Sequence, residues 1–167
     1  MPWQIVNAGL PSETCTGLSE PGHPFPRPNV HERLTRALEK YQPDVVVASY
    51  GMNDGIYFPF AEKRFEAYQQ GIRKLIDQVR KSGAELVLMT PPPFDPLPLR
   101  SKGKLRGADA DEFAWFAIYE NYDDVLGRYA QWVKSLQGQE GVRMVIDLRT
   151  PVAHYVAERR RDDPDFT

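Results

Sequence analysis

Three short apolar runs, separated by segments of helical periodicity, constrain the fold of this chain more than any other feature. The runs are DVVVASY (44–50), AELVLMT (84–90) and VRMVIDL (142–148), and a fourth, WQIVNA (3–8), precedes them. The three later runs are almost continuously apolar and rich in Val, Ile and Leu, which is typical of strands covered on both faces. Strand and helix therefore alternate, and this order predicts an α/β fold with a parallel sheet and right-handed crossovers.

Three amphipathic helices are predicted between these strands. The first begins after Asn29, which forms a capping-box pattern with Glu32, the second ends at Gly83, and the third is followed by Gly138. Their apolar stripes, in order, are Val30, Leu34, Ala37, Leu38 and Tyr41; Phe65, Tyr68, Ile72, Leu75, Ile76 and Val79; and Tyr122, Val125, Leu126, Tyr129, Val133 and Leu136. Residues 10–28 and 91–111 are rich in Pro and Gly and follow the carboxyl ends of predicted strands. Such loops are expected to form the walls of a ligand site.

Composition excludes several classes of function. The formal net charge of −2 at pH 7 gives no bias toward nucleic acid, and the charged run at 158–165 is expected to be a solvated helix end. No run approaches the length of a membrane span, and the amino terminus lacks a signal-peptide pattern. Cys15 is the only cysteine, so an internal disulfide is excluded. Neither the compartment nor the oligomeric state follows from these observations.

The stretch YGMNDG (50–55) places an amide and a carboxylate at the end of a predicted buried strand. Gly51 allows a sharp turn there, and the side-chain NH2 of Asn53 can donate to an oxygen that becomes negatively charged during acyl transfer. The same residue types are also favoured in turns that have no catalytic role. The motif alone leaves both interpretations open.

A second motif, NAGLPSET (7–14), follows the first predicted strand. Together with YGMND it resembles the second and third sequence blocks of the SGNH hydrolases, the GDSL-type esterases and lipases. The resemblance covers almost the whole chain and implies a flavodoxin-like α/β fold, a serine hydrolase activity on a small-molecule or carbohydrate ester, and no cofactor or metal. It assigns Asn53 and the backbone N–H of Ser12 to the oxyanion hole, although the family usually has glycine where this chain has Ser12. It further places Gly51, Met52 and Asp54 at the substrate.

Two other family motifs are absent from the sequence: Gly-Asp-Ser, which carries the nucleophile, and Asp-x-x-His, which carries the base. We therefore expect residues 1–167 to be a single incomplete SGNH-like domain, lacking the first strand and the carboxyl-terminal segment, and to be inactive alone. The histidines His23, His31 and His154 are expected to have surface or capping roles. The alternative is a non-catalytic carbohydrate-binding or interaction module of the same fold, in which aromatic side chains stack on a sugar. These would be Tyr50, Tyr57, Phe58 and Phe60.

Overall fold

A computed structural model describes residues 2–167 and contains five helices and five strands. In chain order the elements are a 3-10 turn (Val30–Glu32), α1 (Leu34–Tyr41), β1 (Val45–Ser49), α2 (Glu62–Ser82), β2 (Glu85–Met89), α3 (Leu97–Arg100), β3 (Leu105–Arg106), β4 (Ile118–Tyr119), α4 (Tyr122–Lys134), β5 (Met144–Ile146) and α5 (Arg149–Asp162). The runs at 44–50 and 84–90 are therefore strands within one residue of their predicted ends. The run at 142–148 forms a shorter strand than predicted.

The main sheet has the strand order β1-β2-β5, and both pairs are parallel. Each crossover between the strands of this sheet contains at least one helix, as is usual for parallel strands. β3 and β4 form a separate two-stranded parallel ladder within the connection from β2 to α4. The predicted α/β class with a helix-flanked parallel sheet is confirmed.

Only one face of the main sheet carries the core. Ala48, Leu86 and Leu88 point to this face and are at most 7% exposed, and they pack with buried residues of α2 and α4. On the opposite face Val47 is 60% exposed and Met144 is 49% exposed. The expectation that both faces are covered is therefore wrong for β1 and β5, because the described helices pack against one side and α5 contributes no buried residue.

The predicted strand at 3–8 is also wrong. The segment makes no strand pairing, and the side chains of Trp3 and Ile5 are 89% and 90% exposed. An apolar run becomes a strand only when a neighbouring backbone supplies its hydrogen bonds, and β1, an edge strand of the sheet, pairs only with β2.

The end of α2 agrees with the capping signal in the sequence, whereas α1 begins at Leu34 and not directly after Asn29. Gly83 adopts a left-handed conformation with φ of 84° directly after α2, and Asn29 caps the 3-10 turn by accepting a hydrogen bond from the N–H of His31. α4 ends at Lys134, two residues before the last residue of its predicted apolar stripe. Among the described residues, no helix combines the length and the apolar character that crossing a membrane requires.

Gly71 fixes the distance between α2 and the loop that contains Cys15. A Cβ atom at Gly71 would lie 2.2 Å from the carbonyl oxygen of Cys15, whereas a Cβ at Gly127 in α4 would lie 3.6 Å from its nearest neighbour. We expect Gly71→Ala to lower the free energy of unfolding by about 1 to 3 kcal/mol, because backbone must move apart. The matched helix variant Gly127→Ala should raise it by up to about 1 kcal/mol. Urea titration followed by circular dichroism measures both, and equal effects would contradict the close contact.

Candidate functional site

The chain turns sharply as it leaves β1. Gly51 has φ of 132°, a conformation that side chains rarely allow, and a Cβ atom there would lie 3.0 Å from the ring of Pro91. A series of tight turns follows, in which the N–H of Asp54 donates to the carbonyl of Gly51 and the N–H of Ile56 donates to that of Asn53. The turn thus holds Asn53 and Asp54 at the carboxyl edge of the sheet.

Asp54 joins this turn to the loop at 13–17. One carboxylate oxygen accepts hydrogen bonds from the N–H groups of Cys15 at 2.8 Å and Thr16 at 3.1 Å, and the other accepts from the N–H of Gly51 at 2.8 Å. The residue is 0% exposed. Burial raises the pKa of Asp54, while the hydrogen bonds it accepts act in the opposite direction. The expectation that Asp54 contacts a substrate does not agree with this position, because both oxygens are buried and used by backbone donors.

Asn53 is half-buried and its side chain faces the loop at 9–14. Its Nδ2 donates to the carbonyl oxygen of Glu13 at 3.2 Å, and its Oδ1 accepts a hydrogen bond from the hydroxyl of Tyr57 at 3.0 Å. An amide nitrogen carries two hydrogens. One donor of Asn53 therefore stays available after the bond to Glu13.

Ser12 lies in the same loop and has φ of 64°. This left-handed conformation suits the glycine that the SGNH motif usually has at this position, and a serine reaches it at some cost in strain. The carbonyl of Ser12 accepts a hydrogen bond from Arg27 at 3.2 Å, and Arg27 forms a buried ion pair with Glu20 at 2.7 Å. The loop backbone at Ser12 is thus anchored by a buried charge pair.

A hydrogen-bonded cluster of charged and phenolic side chains beside Asn53 was not predicted from the sequence. The Glu13 carboxylate is buried and binds Arg33 through both of its oxygens, at 2.6 and 2.7 Å, and it also accepts the hydroxyl of Tyr50 at 2.6 Å. Burial raises the pKa of the Tyr50 hydroxyl far above its ordinary value, and the negative charge of Glu13 adds to this rise. No local spacing could have revealed the cluster, because its members come from three separate segments.

A cavity of about 440 Å3 runs along the free edge of β1 and reaches Asn53. One wall is formed by β1 and the turn after it (45–53), and the opposite wall by residues 6–10. Val30, Leu34, Leu38 and Leu75 form the apolar part of its lining, and Glu13 and Arg33 contribute charged groups to it. Gly51, Met52 and Asn53 all line this cavity, whereas Ser12 and Asp54 do not. In the described part of the chain, no residue of the loop at 91–111 lines it, in contrast to the expectation from the sequence.

The aromatic side chains around the turn pack against other rings of the protein. Tyr57 lies 5.2 Å from Tyr122 between ring centroids, and Phe58 lies 5.1 Å from Phe113. Phe60 packs against Phe65 at 5.7 Å. Three of the four aromatic residues predicted to stack on a sugar therefore have a ring neighbour within the protein, whereas the fourth, Tyr50, lines the cavity.

The three histidines lie outside the cavity lining of residues 2–167. His154 is exposed on α5, 3.5 Å from Glu158, and the Nδ1 of His31 lies 2.6 Å from the Oε1 of Gln78. His23 contacts the carbonyl of Phe25 in an exposed loop. Within that same range of described residues, no three His, Cys, Asp or Glu side chains come together in a way that would hold a metal ion.

Comparison with known proteins identifies the family. The family model described as GDSL-like Lipase/Acylhydrolase family matches residues 1–166. No curated protein and no solved structure matches the chain. The match covers almost the whole chain, including both motifs that meet at Asn53 and the parallel sheet that carries them. The chain therefore belongs to the GDSL-like lipase and acylhydrolase family, a family of ester hydrolases.

Proposed function

We propose that Asn53 and the loop at 9–14 form the oxyanion-hole side of the active site of a serine acyl-ester hydrolase. The observation that carries the proposal is the orientation of the Asn53 amide, whose Nδ2 faces this loop at the carboxyl edge of a parallel sheet. Open α/β sheets bind their ligands at this edge. Asn53 lines the cavity, and the donor left on its Nδ2 would bind a developing oxyanion there.

In this proposal the nucleophilic serine and the catalytic histidine come from segments outside residues 1–167. The serine attacks the ester carbonyl, the histidine takes the serine proton and then gives it to the leaving alcohol, and water releases the acyl group in a second step. Asn53 Nδ2 and the N–H of Ser12 donate to the carbonyl oxygen while it is negatively charged. The positive φ of 64° at Ser12 supports this second donor, because glycine adopts such a conformation readily, although Ser12 itself does not line the cavity.

The free edge of β1 supports the same arrangement. Edge strands offer unpaired backbone donors and acceptors to a further strand, and the apolar cavity lies directly along this edge. A strand that lies there parallel to β1 would end beside Asn53, because parallel strands share their carboxyl edge. A serine directly after such a strand would be close to the amide.

The substrate class that we propose is a short acyl ester, with acetyl groups on carbohydrate as the preferred case. The cavity of about 440 Å3 lies along the edge of β1. A further strand at this edge would fill part of it, so we expect little space to remain for a long acyl chain. Recognition by stacked aromatics is not part of the proposal, since the nearby rings pack within the protein.

The test compares two polypeptides from the same gene. A polypeptide that includes the residues encoded in frame upstream of Met1 and downstream of Thr167 should hydrolyse 4-nitrophenyl acetate, and much faster than 4-nitrophenyl palmitate. The 167-residue chain should show no more turnover than a heat-denatured control. Turnover by the 167-residue chain would contradict the external nucleophile, and flanking sequence without Gly-Asp-Ser and Asp-x-x-His would favour the non-catalytic module.

A further inference from the structure

Among residues 2–167, Tyr57 is the one side chain that donates a hydrogen bond to the amide of Asn53. Its hydroxyl lies 3.0 Å from Asn53 Oδ1, whereas the other contact of the amide is to the backbone carbonyl of Glu13. We infer that Tyr57 is a positioning residue that fixes the Asn53 amide with its NH2 group toward the cavity. The importance of this role for catalysis rests on the proposed function.

The two hydrogen bonds define which end of the amide faces which partner. The Glu13 carbonyl only accepts, so it requires Nδ2 on its side. The Tyr57 hydroxyl then donates to Oδ1 on the other side. If the amide were rotated by half a turn, its oxygen would face the oxygen of the Glu13 carbonyl, whereas the Tyr57 hydroxyl could still accept from Nδ2. The Glu13 carbonyl therefore selects the orientation of the amide, and Tyr57 holds the selected orientation by donating to Oδ1.

The second consequence is electronic. A donor on Oδ1 polarises the amide and makes its N–H groups stronger donors, since linked hydrogen bonds reinforce one another. Asn53 lines the cavity, and the N–H of Nδ2 that is not bonded to Glu13 is the group that gains. Tyr57 therefore both holds this donor and strengthens it, without touching a substrate itself.

The backbone brings Tyr57 back toward Asn53 by an uncommon route. Ile56 and Tyr57 have consecutive positive φ angles of 46° and 65°. Residues with side chains, and β-branched ones above all, avoid this region unless surrounding contacts hold them there. Such strain is concentrated at functional sites, and here it returns the phenol to a residue only four positions earlier.

Several contacts hold the phenol ring in place. The ring packs against Tyr122 at 5.2 Å, and the guanidinium of Arg27 lies 5.3 Å from the ring centre. The carbonyl of Tyr57 accepts the N–H of Tyr119 at 3.0 Å. Burial raises the pKa of Tyr57, while the nearby Arg27 opposes the rise. The hydroxyl therefore keeps its proton at neutral pH and serves as a donor.

The first experiment uses the 167-residue chain labelled with 15N and observes the two Nδ2 protons of Asn53 by NMR. In Tyr57→Phe we expect the Nδ2 proton bonded to Glu13 to exchange with water about tenfold faster and both Nδ2 resonances to shift. The amide loses the Tyr57 bond that holds it against Glu13, and a bond of about 1.4 kcal/mol corresponds to this factor. The matched control is Tyr129→Phe, which removes another buried phenol that has no bond to Asn53. This control should leave the Asn53 signals unchanged.

A second variant covers the case in which Tyr57→Phe does not fold. Replacing Tyr57 with 3-fluorotyrosine keeps the ring and the hydroxyl and makes the hydroxyl a stronger donor. The Asn53 carboxamide resonances should then shift away from those of the unsubstituted chain. Unchanged Asn53 resonances in the folded 3-fluorotyrosine chain, or unchanged exchange in folded Tyr57→Phe, would overturn the inference. These readouts need no ester hydrolysis, so they remain decisive if the esterase proposal fails.

The link to catalysis is tested in a longer polypeptide that hydrolyses 4-nitrophenyl acetate. Tyr57→Phe should lower kcat about tenfold with little change in KM, because the amide acts on the transition state. The double variant with Asn53→Ala should be no slower than Asn53→Ala alone, since Tyr57 acts through Asn53. If the two substitutions lower kcat independently, so that their effects multiply in the double variant, Tyr57 does not act through Asn53. This result would overturn the positioning role.

Discussion

Replacing Asn53 with alanine should lower kcat for ester hydrolysis about a hundredfold to a thousandfold in a polypeptide that also carries the nucleophile. The reason is geometric. The Asn53 amide faces the loop at 9–14 through its bond to Glu13, the residue lines the cavity, and one N–H of the amide stays available. A donor that stabilises charge only in the transition state changes kcat much more than KM. Steady-state kinetics with 4-nitrophenyl acetate measures both constants.

Two controls separate this effect from loss of fold. Asn121→Ala removes an exposed amide that does not line the cavity and should leave kcat unchanged. Asn53→Asp keeps the shape of the side chain but presents a carboxylate to the developing oxyanion, so its kcat should be at least as low as that of Asn53→Ala. If Asn53→Ala retains full turnover while remaining folded, the oxyanion role of Asn53 is wrong, and the proposed function loses its main support.

The sheet illustrates which part of the fold can be predicted from local sequence. β1 and β2 begin and end within one residue of the predicted runs, because a continuous apolar stretch bounded by polar or turn residues is a local signal. Strand pairing is not local. Residues 3–8 have the same kind of composition, but the described chain offers them no backbone partner, and Trp3 and Ile5 stay exposed. The number of sheet faces that helices cover likewise depends on where the helices pack. This packing cannot be predicted from one apolar run.

The site divides in the same way. The sequence singles out Asn53 because it follows an apolar strand and a glycine, and the resemblance adds the loop at 9–14 as its neighbour. The structure brings these two segments together through Asp54 and the Glu13 carbonyl. The roles of Asp54 and Tyr57 could not be predicted in this manner. A carboxylate in a turn usually faces water, and positive φ angles at Ile56 and Tyr57 contradict the preferences of their side chains.

Replacing Asp54 with alanine should destabilise the protein more than any other single substitution considered. Asp54 is fully buried and accepts hydrogen bonds from the N–H groups of Cys15, Thr16 and Gly51. Alanine leaves these three donors without a partner and leaves a gap where the carboxylate lay. Breaking such a buried charged network costs about 3 to 5 kcal/mol. A domain of this size is stable by only about 5 to 15 kcal/mol, so the variant should be close to unfolding at room temperature.

Urea titration of the 167-residue chain tests this expectation, with Asp44→Ala as the matched control. Asp44 is exposed just before β1, so its removal should change the free energy of unfolding by less than about 0.5 kcal/mol. Asp54→Asn should be almost as damaging as Asp54→Ala, because an amide has one acceptor oxygen and turns an NH2 group toward backbone donors. If Asp54→Ala is as stable as the control, the carboxylate does not hold the loop at 13–17 against the turn after β1. The orientation of Asn53 would then need another cause, since the same two segments define it.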